Sequence, residues 1–129
     1  MKVTLITLGV ADLAKSRTFY EGLGFEINAE HSDENIVLFN TGDATLSLYP
    51  IKHLATDVSS DAPPPIASGF SGITLAHNTN SKEAVNELFA KIKSLGGTIE
   101  KEPQEVFWGG YHFYFRDLDG HYWEIAYAY

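Results

Sequence analysis

One carboxylate stands out among the residues whose chemistry could support binding or catalysis. Glu124 lies within a strongly aromatic and apolar stretch, His121–Tyr127. A carboxylate in partly apolar surroundings suits a general base or a partner for a cationic ligand group. The alternative is that Glu124 only binds a neighbouring Thr or Tyr hydroxyl.

The remaining candidates for chemistry are weaker. Asp117 and Asp119 resemble a carboxylate pair, but their place in a tight turn favours a role in shaping that turn. No nucleophile elbow, phosphate-binding glycine loop or dinucleotide fingerprint is present. The absence of cysteine excludes thiolate zinc sites, Fe–S clusters and disulfides. The histidines are scattered, with no pair at helical spacing, and do not predict a metal site of their own: His31, His53, His77, His112 and His121.

The charge balance limits the class of partner. The chain of 129 residues has 9 basic and 17 acidic residues, a net charge of −8. This balance argues against a nucleic-acid binder and is compatible with a neutral or cationic small molecule. No apolar run is long enough to span a membrane. The apolar start, Val3–Ala11, is interrupted by Asp12 and is more typical of a strand than of a signal peptide, so we expect a cytoplasmic protein.

The elements that must position these residues form two similar series. Residues 1–50 and residues 70–129 each predict β-α-β-β-β. Ile6-Thr7-Leu8 is repeated as Ile73-Thr74-Leu75, and Leu23-Gly24 is repeated as Leu95-Gly96 at the two helix ends. Such self-similarity indicates two copies of one supersecondary unit within a single domain.

Residues 51–69 interrupt the pattern. This segment contains Pro63-Pro64-Pro65 and no periodicity that we could assign. A structureless segment of this length is unusual within a compact domain. We therefore expect either a linker between the two units or a lid over a site.

The alternation of side chains divides each outer strand into two faces. One face is large and apolar, as packing against helices requires: Ile6, Leu8, Leu46, Leu48, Ile73, Leu75, Trp123 and Ile125. The other face carries small, hydroxyl-bearing and mixed residues, and predicts the inside of a cup that binds a ligand. Its polar candidates for contact are Thr7, Ser47, Tyr49, Thr74 and Glu124. The alternative is an ordinary, half-solvated sheet face.

Aromatic residues are concentrated at the end of the sequence. Of the 17 aromatic residues, 10 lie between Phe107 and Tyr129. Trp108 and Tyr111 are candidates for a wall that stacks on a ligand, with Gly109-Gly110 bending the backbone between them. Core or interface packing explains such rings equally well.

Several motifs in this order resemble the vicinal oxygen chelate superfamily, the glyoxalase, bleomycin-resistance and extradiol-dioxygenase group. They are Gly9-Val10-Ala11-Asp12-Leu13 followed by Phe19-Tyr20, Leu23-Gly24-Phe25, and Asp117-Leu118-Asp119-Gly120 before Trp123-Glu124. Phe107-Trp108-Gly109-Gly110-Tyr111 resembles a glyoxalase-like bacterial subgroup of unassigned function. The resemblance implies an α+β fold, with two tandem βαβββ units forming a cupped mixed/antiparallel sheet and helices on the outer face.

The resemblance also implies where a metal would bind. Metal enzymes of the superfamily carry one ligand on the first and last strand of each unit, and those positions are Leu5, Ser47, Gly72 and Glu124 here. Only Glu124 is an ordinary ligand, because Leu5 and Gly72 offer no donor and Ser47 is a poor one. We therefore expect no metal and no other cofactor.

Two functions follow as expectations. The first is metal-free binding of a small, neutral or cationic aromatic molecule in the cup, as in the bleomycin-resistance branch. The alternative is a glyoxalase-like lyase, isomerase or dioxygenase-type enzyme, with Glu124 as general base or metal ligand. The resemblance also implies a homodimer.

Overall fold

The computed structural model describes all residues, Met1–Tyr129, as two compact units, Met1–Ser68 and Gly69–Tyr129. The first unit contains β1 (Leu5–Val10), α1 (Leu13–Gly22), β2 (Glu26–Ile27), a 3₁₀ turn (Ala29–His31), β3 (Val37–Asn40), β4 (Thr45–Pro50) and α2 (Ile51–Val58). The second contains β5 (Thr74–Asn78), α3 (Lys82–Ser94), β6 (Thr98–Val106), β7 (Gly110–Arg116) and β8 (Tyr122–Ala128).

The two units share one topology. The first sheet has the strand order β1-β4-β3-β2, and the second has the order β5-β8-β7-β6. In each, the first and last strands pair in parallel, and the remaining pairs are antiparallel. The predicted pair of β-α-β-β-β units in an α+β fold is therefore confirmed.

The repeated Leu-Gly sequence at the two helix ends has a physical basis. Gly24 and Gly96 both adopt left-handed backbone, with φ of 102° and 96°. Glycine enters this region without a Cβ penalty, so it ends α1 and α3 in the same way. At the other end, the side chains of Asp12 and Ser81 accept hydrogen bonds from the N–H groups of α1 and α3 at 3.0 Å.

One face of each sheet is covered by its own helix. In the first unit the ring of Tyr20 on α1 lies 6.1 Å from that of Phe39 on β3. In the second, the ring of Phe89 on α3 lies 5.4 Å from that of Phe113 on β7. The buried apolar core of both units lies at these helix-covered faces and includes Val10, Phe19, Val37, Leu46, Leu48, Val85, Ile92, Phe115, Trp123 and Ile125.

Two predicted segments differ from the structure. Residues 51–69 are not free of regular structure, because Ile51–Val58 form α2. Ile51, Leu54, Ala55 and Val58 follow helical spacing, a short pattern hidden by the proline-rich stretch after it. The second predicted strand of residues 1–50 is short, consisting of β2 alone, because the Asn28 side chain accepts from the N–H of His31 and starts a 3₁₀ turn.

None of the helices combines the length and apolar character needed to cross a lipid bilayer.

Candidate functional site

Glu124 is paired with a histidine on the neighbouring strand. Nδ1 of His112 on β7 lies 2.6 Å from Oε2 of Glu124 on β8. The register pairs Tyr114 with Glu124 and His112 with Ala126, so the three polar side chains lie on one face. We call this surface the Glu124 face, defined by His112, Tyr114 and Glu124. It lies opposite the face that packs on α3.

Tyr114 is the second partner of the carboxylate. Its pKa is raised above the ordinary value of 10.0, first by burial, then by the negative charge of Glu124 and by the hydrogen bond that the phenol donates to Glu124. All three effects favour the neutral phenol over the phenolate. Glu124 thus interacts with two side chains of the neighbouring strand, those of His112 and Tyr114.

The raised pKa of Tyr114 gives a measurable prediction. The folded state holds the Tyr114 proton to higher pH than the unfolded state, so this group's contribution to stability is complete below pH 10.0 and is lost as pH rises through the folded pKa. Ultraviolet titration of the 7 tyrosines should show late ionisation to which Tyr114 contributes one equivalent. Tyr114→Phe should remove that equivalent, and unfolding in guanidinium should return it to the ordinary range. A late-ionising fraction of the same size in Tyr114→Phe and in the parent would contradict this assignment.

Trp108 lies against the same face. The turn between β6 and β7 brings its ring edge-on to His112, with 5.9 Å between the ring centroids. The ring lies directly above Gly110, where an added Cβ would come within 2.0 Å of Trp108 Cζ3. Gly110 thus leaves the space that Trp108 fills, while the tryptophan itself stays 46% exposed.

Two buried side-chain atoms have no hydrogen-bond partner, Ser47 Oγ and His112 Nε2. His112 is 5% exposed and Ser47 is fully buried. Leaving a buried polar atom unpaired costs about 1–3 kcal/mol, so such atoms in a native protein call for an explanation such as a bound water, ion or ligand. Both atoms lie on the sheet faces that carry the small and polar side chains.

The predicted contact residues fall into three groups. Thr7 and Ser47 are directly paired in the first sheet, and Tyr49 shares their face, which we call the Ser47 face. Thr74 is an exposed residue of β5 on the Glu124 face. Tyr111 lies on the other side of the second sheet, where its hydroxyl donates to Asn86 Oδ1 on α3 at 2.9 Å. The expected wall of Trp108 and Tyr111 is therefore not formed on one face.

The Ser47 face is partly covered by α2. Ile51 lies over Gly9, where an added Cβ would come within 2.7 Å of Ile51 Cγ1. The ring of His53 lies 6.0 Å from that of Tyr49. The segment expected to be a linker or a lid thus begins as a helix seated on a candidate binding surface of its own unit.

The donors at the superfamily's ligand positions do not fit a metal. Leu5 has no donor atom, Gly72 has no side chain, and Ser47 offers a neutral hydroxyl. The carboxylate of Glu124 is already hydrogen-bonded to His112 and Tyr114. No group of three or more His, Cys, Asp or Glu side chains is placed to hold a metal ion. We therefore derive no chemistry through one.

The arrangement can bind a small molecule by polar and aromatic contacts. Glu124 supplies negative charge, His112 supplies an unpaired nitrogen, and Trp108 supplies an exposed ring. Of these three, sequence reasoning missed His112. The period of two along β7 places it beside Tyr114, but its closeness to Glu124 depends on the register that the turn at Asp117–Gly120 sets.

The contacts of Asp117 in that turn agree with a role in shaping it. Oδ1 of Asp117 accepts from the backbone N–H groups of Asp119 and His121, both at 2.9 Å. Asp117 is buried, and its carboxylate holds the loop that joins β7 to β8. It shapes the turn and thereby fixes the pairing of His112 with Glu124.

Comparison with solved structures supports the same fold. A glyoxalase-related enzyme from Fulvimarina pelagi is 30% identical, with a TM-score of 0.87 over 98% of this chain and 88% of its own. A hypothetical protein from S. aureus is 30% identical, with a TM-score of 0.84 over 99% of this chain and 94% of its own. A glyoxalase/bleomycin resistance protein/dioxygenase family enzyme from Burkholderia phytofirmans covers both chains completely, with a TM-score of 0.89 at 20% identity, which supports the fold alone.

A comparison with curated proteins finds no match. The family model of the Glyoxalase/Bleomycin resistance protein/Dioxygenase superfamily matches residues 2–125. This match spans nearly the whole chain and agrees with the two βαβββ units of the structure. The chain therefore belongs to the glyoxalase/bleomycin resistance protein/dioxygenase superfamily.

Proposed function

We propose that this protein binds a small, neutral or cationic aromatic molecule on the Glu124 face without a metal. The observation that carries the proposal is the buried, unpaired Nε2 of His112, which lies beside a carboxylate and an exposed tryptophan ring. Aromatic ligands stack on such a ring, and cations are attracted both to its face and to a carboxylate. The net charge of −8 disfavours an anionic ligand.

Tryptophan fluorescence tests the ligand class. Only Trp108 and Trp123 are present, and Trp123 is buried in the helix-covered core. Benzylammonium and benzyl alcohol should quench or shift the Trp108 emission saturably, whereas benzoate should not, because its carboxylate would face Glu124. Trp108→Ala should remove the response. Phe107→Ala, a change at the fully exposed neighbour in the same turn, should preserve it. Equal binding of benzoate would contradict the proposal.

Metal content tests the other half of the proposal. Protein purified without added metal should contain no stoichiometric nickel, zinc, manganese or iron by elemental analysis. Titration with each ion should give no tight one-to-one binding, because two of the four family positions lack a donor. Stoichiometric binding that disappears in Glu124→Ala would overturn the metal-free proposal.

A second candidate is proton transfer next to a carbonyl, with Glu124 as general base. The observation in its favour is that the carboxylate and an imidazole are 2.6 Å apart, an acid–base arrangement. Exchange of the α-protons of a small aromatic ketone into deuterated water, followed by proton NMR, would detect it. Exchange that requires Glu124 would favour an enzyme over a binding protein.

The homodimer implied by the superfamily remains part of this proposal. Light scattering of the purified protein would establish its mass in solution. A mass near 14.3 kDa would contradict a stable dimer.

A further inference from the structure

The buried histidine supports a more specific statement about the ligand. Glu124 in its ionised form has only acceptors, so the 2.6 Å contact places a proton on Nδ1 of His112. In the neutral ring the other nitrogen, Nε2, is then a hydrogen-bond acceptor. An imidazolium would instead bury an unpaired charged N–H, which costs more than an unpaired lone pair. The lack of a partner at Nε2 therefore favours the neutral ring.

The ring of His112 is held in place on three sides. Glu124 fixes Nδ1, the Tyr114 ring lies 5.3 Å away, and the Trp108 ring lies 5.9 Å away on another side, between ring centroids. His112 therefore cannot turn Nε2 toward solvent without giving up the contact with Glu124. Of the two neighbouring rings, only Trp108 belongs to a turn and is substantially exposed.

We propose that Nε2 of His112 accepts a hydrogen bond from a hydroxyl or ammonium group of the ligand, and that Trp108 is the cover which moves aside to admit it. This proposal rests on the proposed function and narrows it to ligands that carry a donor beside an aromatic ring. Glu124 acts here as a positioning residue, since it fixes the tautomer of His112. The Trp108 ring, once displaced, remains close enough to stack on the ligand.

A matched pair of probes separates this proposal from simple aromatic binding. Benzyl alcohol has a hydroxyl donor, whereas benzyl methyl ether has the same ring and no donor. The alcohol should bind about tenfold more tightly than the ether, since an unpaired buried acceptor is satisfied only by the alcohol. In His112→Phe the two probes should bind equally. Calorimetry measures both affinities, with Phe107→Ala as the control that leaves the preference intact.

Nitrogen NMR of the imidazoles tests the tautomer directly. One of the 5 histidines, identified by its loss in His112→Phe, should show the proton on Nδ1, and benzyl alcohol should shift its Nε2 resonance. Equal affinity of the two probes in the unaltered protein, or a proton on Nε2 of His112, would overturn the hydrogen-bond assignment while leaving aromatic binding in place. Failure of every aromatic probe to bind would overturn the proposed function itself, and this proposal with it.

Discussion

Glu124→Ala should destabilise the protein by about 1–3 kcal/mol, more than His112→Phe does, although the two residues form one contact. The alanine variant leaves both ring nitrogens of His112 buried without a partner. The phenylalanine variant keeps a ring of similar size between Trp108 and Tyr114 and removes the unpaired nitrogen. In this variant Glu124 can still interact with Tyr114 and with water, because the glutamate side chain is 22% exposed. Urea denaturation of both variants measures the difference.

The double variant provides the control for this prediction. Once His112 is replaced by phenylalanine, the loss of Glu124 no longer leaves a buried ring nitrogen without a hydrogen-bond partner. The double variant should therefore be more stable than the sum of the single changes predicts. Glu124→Gln should lie between the parent and Glu124→Ala, since its amide oxygen can still accept from Nδ1. If the two changes have additive effects on the free energy of unfolding, the contact between His112 and Glu124 does not contribute to stability in solution.

Phe39→Ala should lower the free energy of unfolding by still more, about 3–5 kcal/mol, because it opens a cavity in the core of the first unit. Phe39 is 0% exposed. Its ring contacts Tyr20 and Phe25, at centroid distances of 6.1 and 5.7 Å, and these two rings also meet edge to face. The cluster joins α1, the segment after it and β3, so truncating one ring weakens three segments of the unit. Thermal or urea unfolding followed by circular dichroism measures the loss.

Phe107→Ala is the matched control for Phe39→Ala. Its side chain is fully exposed at the turn between β6 and β7, so its removal should change the free energy of unfolding by less than about 0.5 kcal/mol. Phe113→Ala repeats the core truncation in the second unit, where the ring contacts Phe89 and Phe115. A loss below 1 kcal/mol in Phe39→Ala would contradict the described core.

The sequence predicted those parts of the fold that depend on local chemistry. Asp12 and the glycines at 24 and 96 mark the ends of the helices, because capping and left-handed backbone are properties of single residues. The alternation along β4 and β8 separates the helix-covered face from the polar face because side chains alternate along any strand. These rules operate within a few residues and need no knowledge of distant contacts.

The features that escaped prediction depend on contacts between segments. α2 is only two turns long, and its apolar spacing was masked by the prolines and serines beyond it. His112 and Glu124 are diagonal neighbours on adjacent strands, a relation fixed by the register of β7 on β8. That register depends on the loop held by Asp117, and a shift of one residue would turn His112 to the opposite face.

The parallel strand pairs also decide when each unit can complete its sheet during synthesis. In the first unit β1 pairs with β4 only after α1, β2 and β3 have been made, and all four strands lie within Leu5–Pro50. In the second, β5 must wait for β8 while α3, β6 and β7 are made. Closing such a long loop carries an entropic cost that is met before the pairing contributes stability. A nascent chain can therefore complete the first sheet while β5 still lacks its parallel partner, so the first unit can fold before the second.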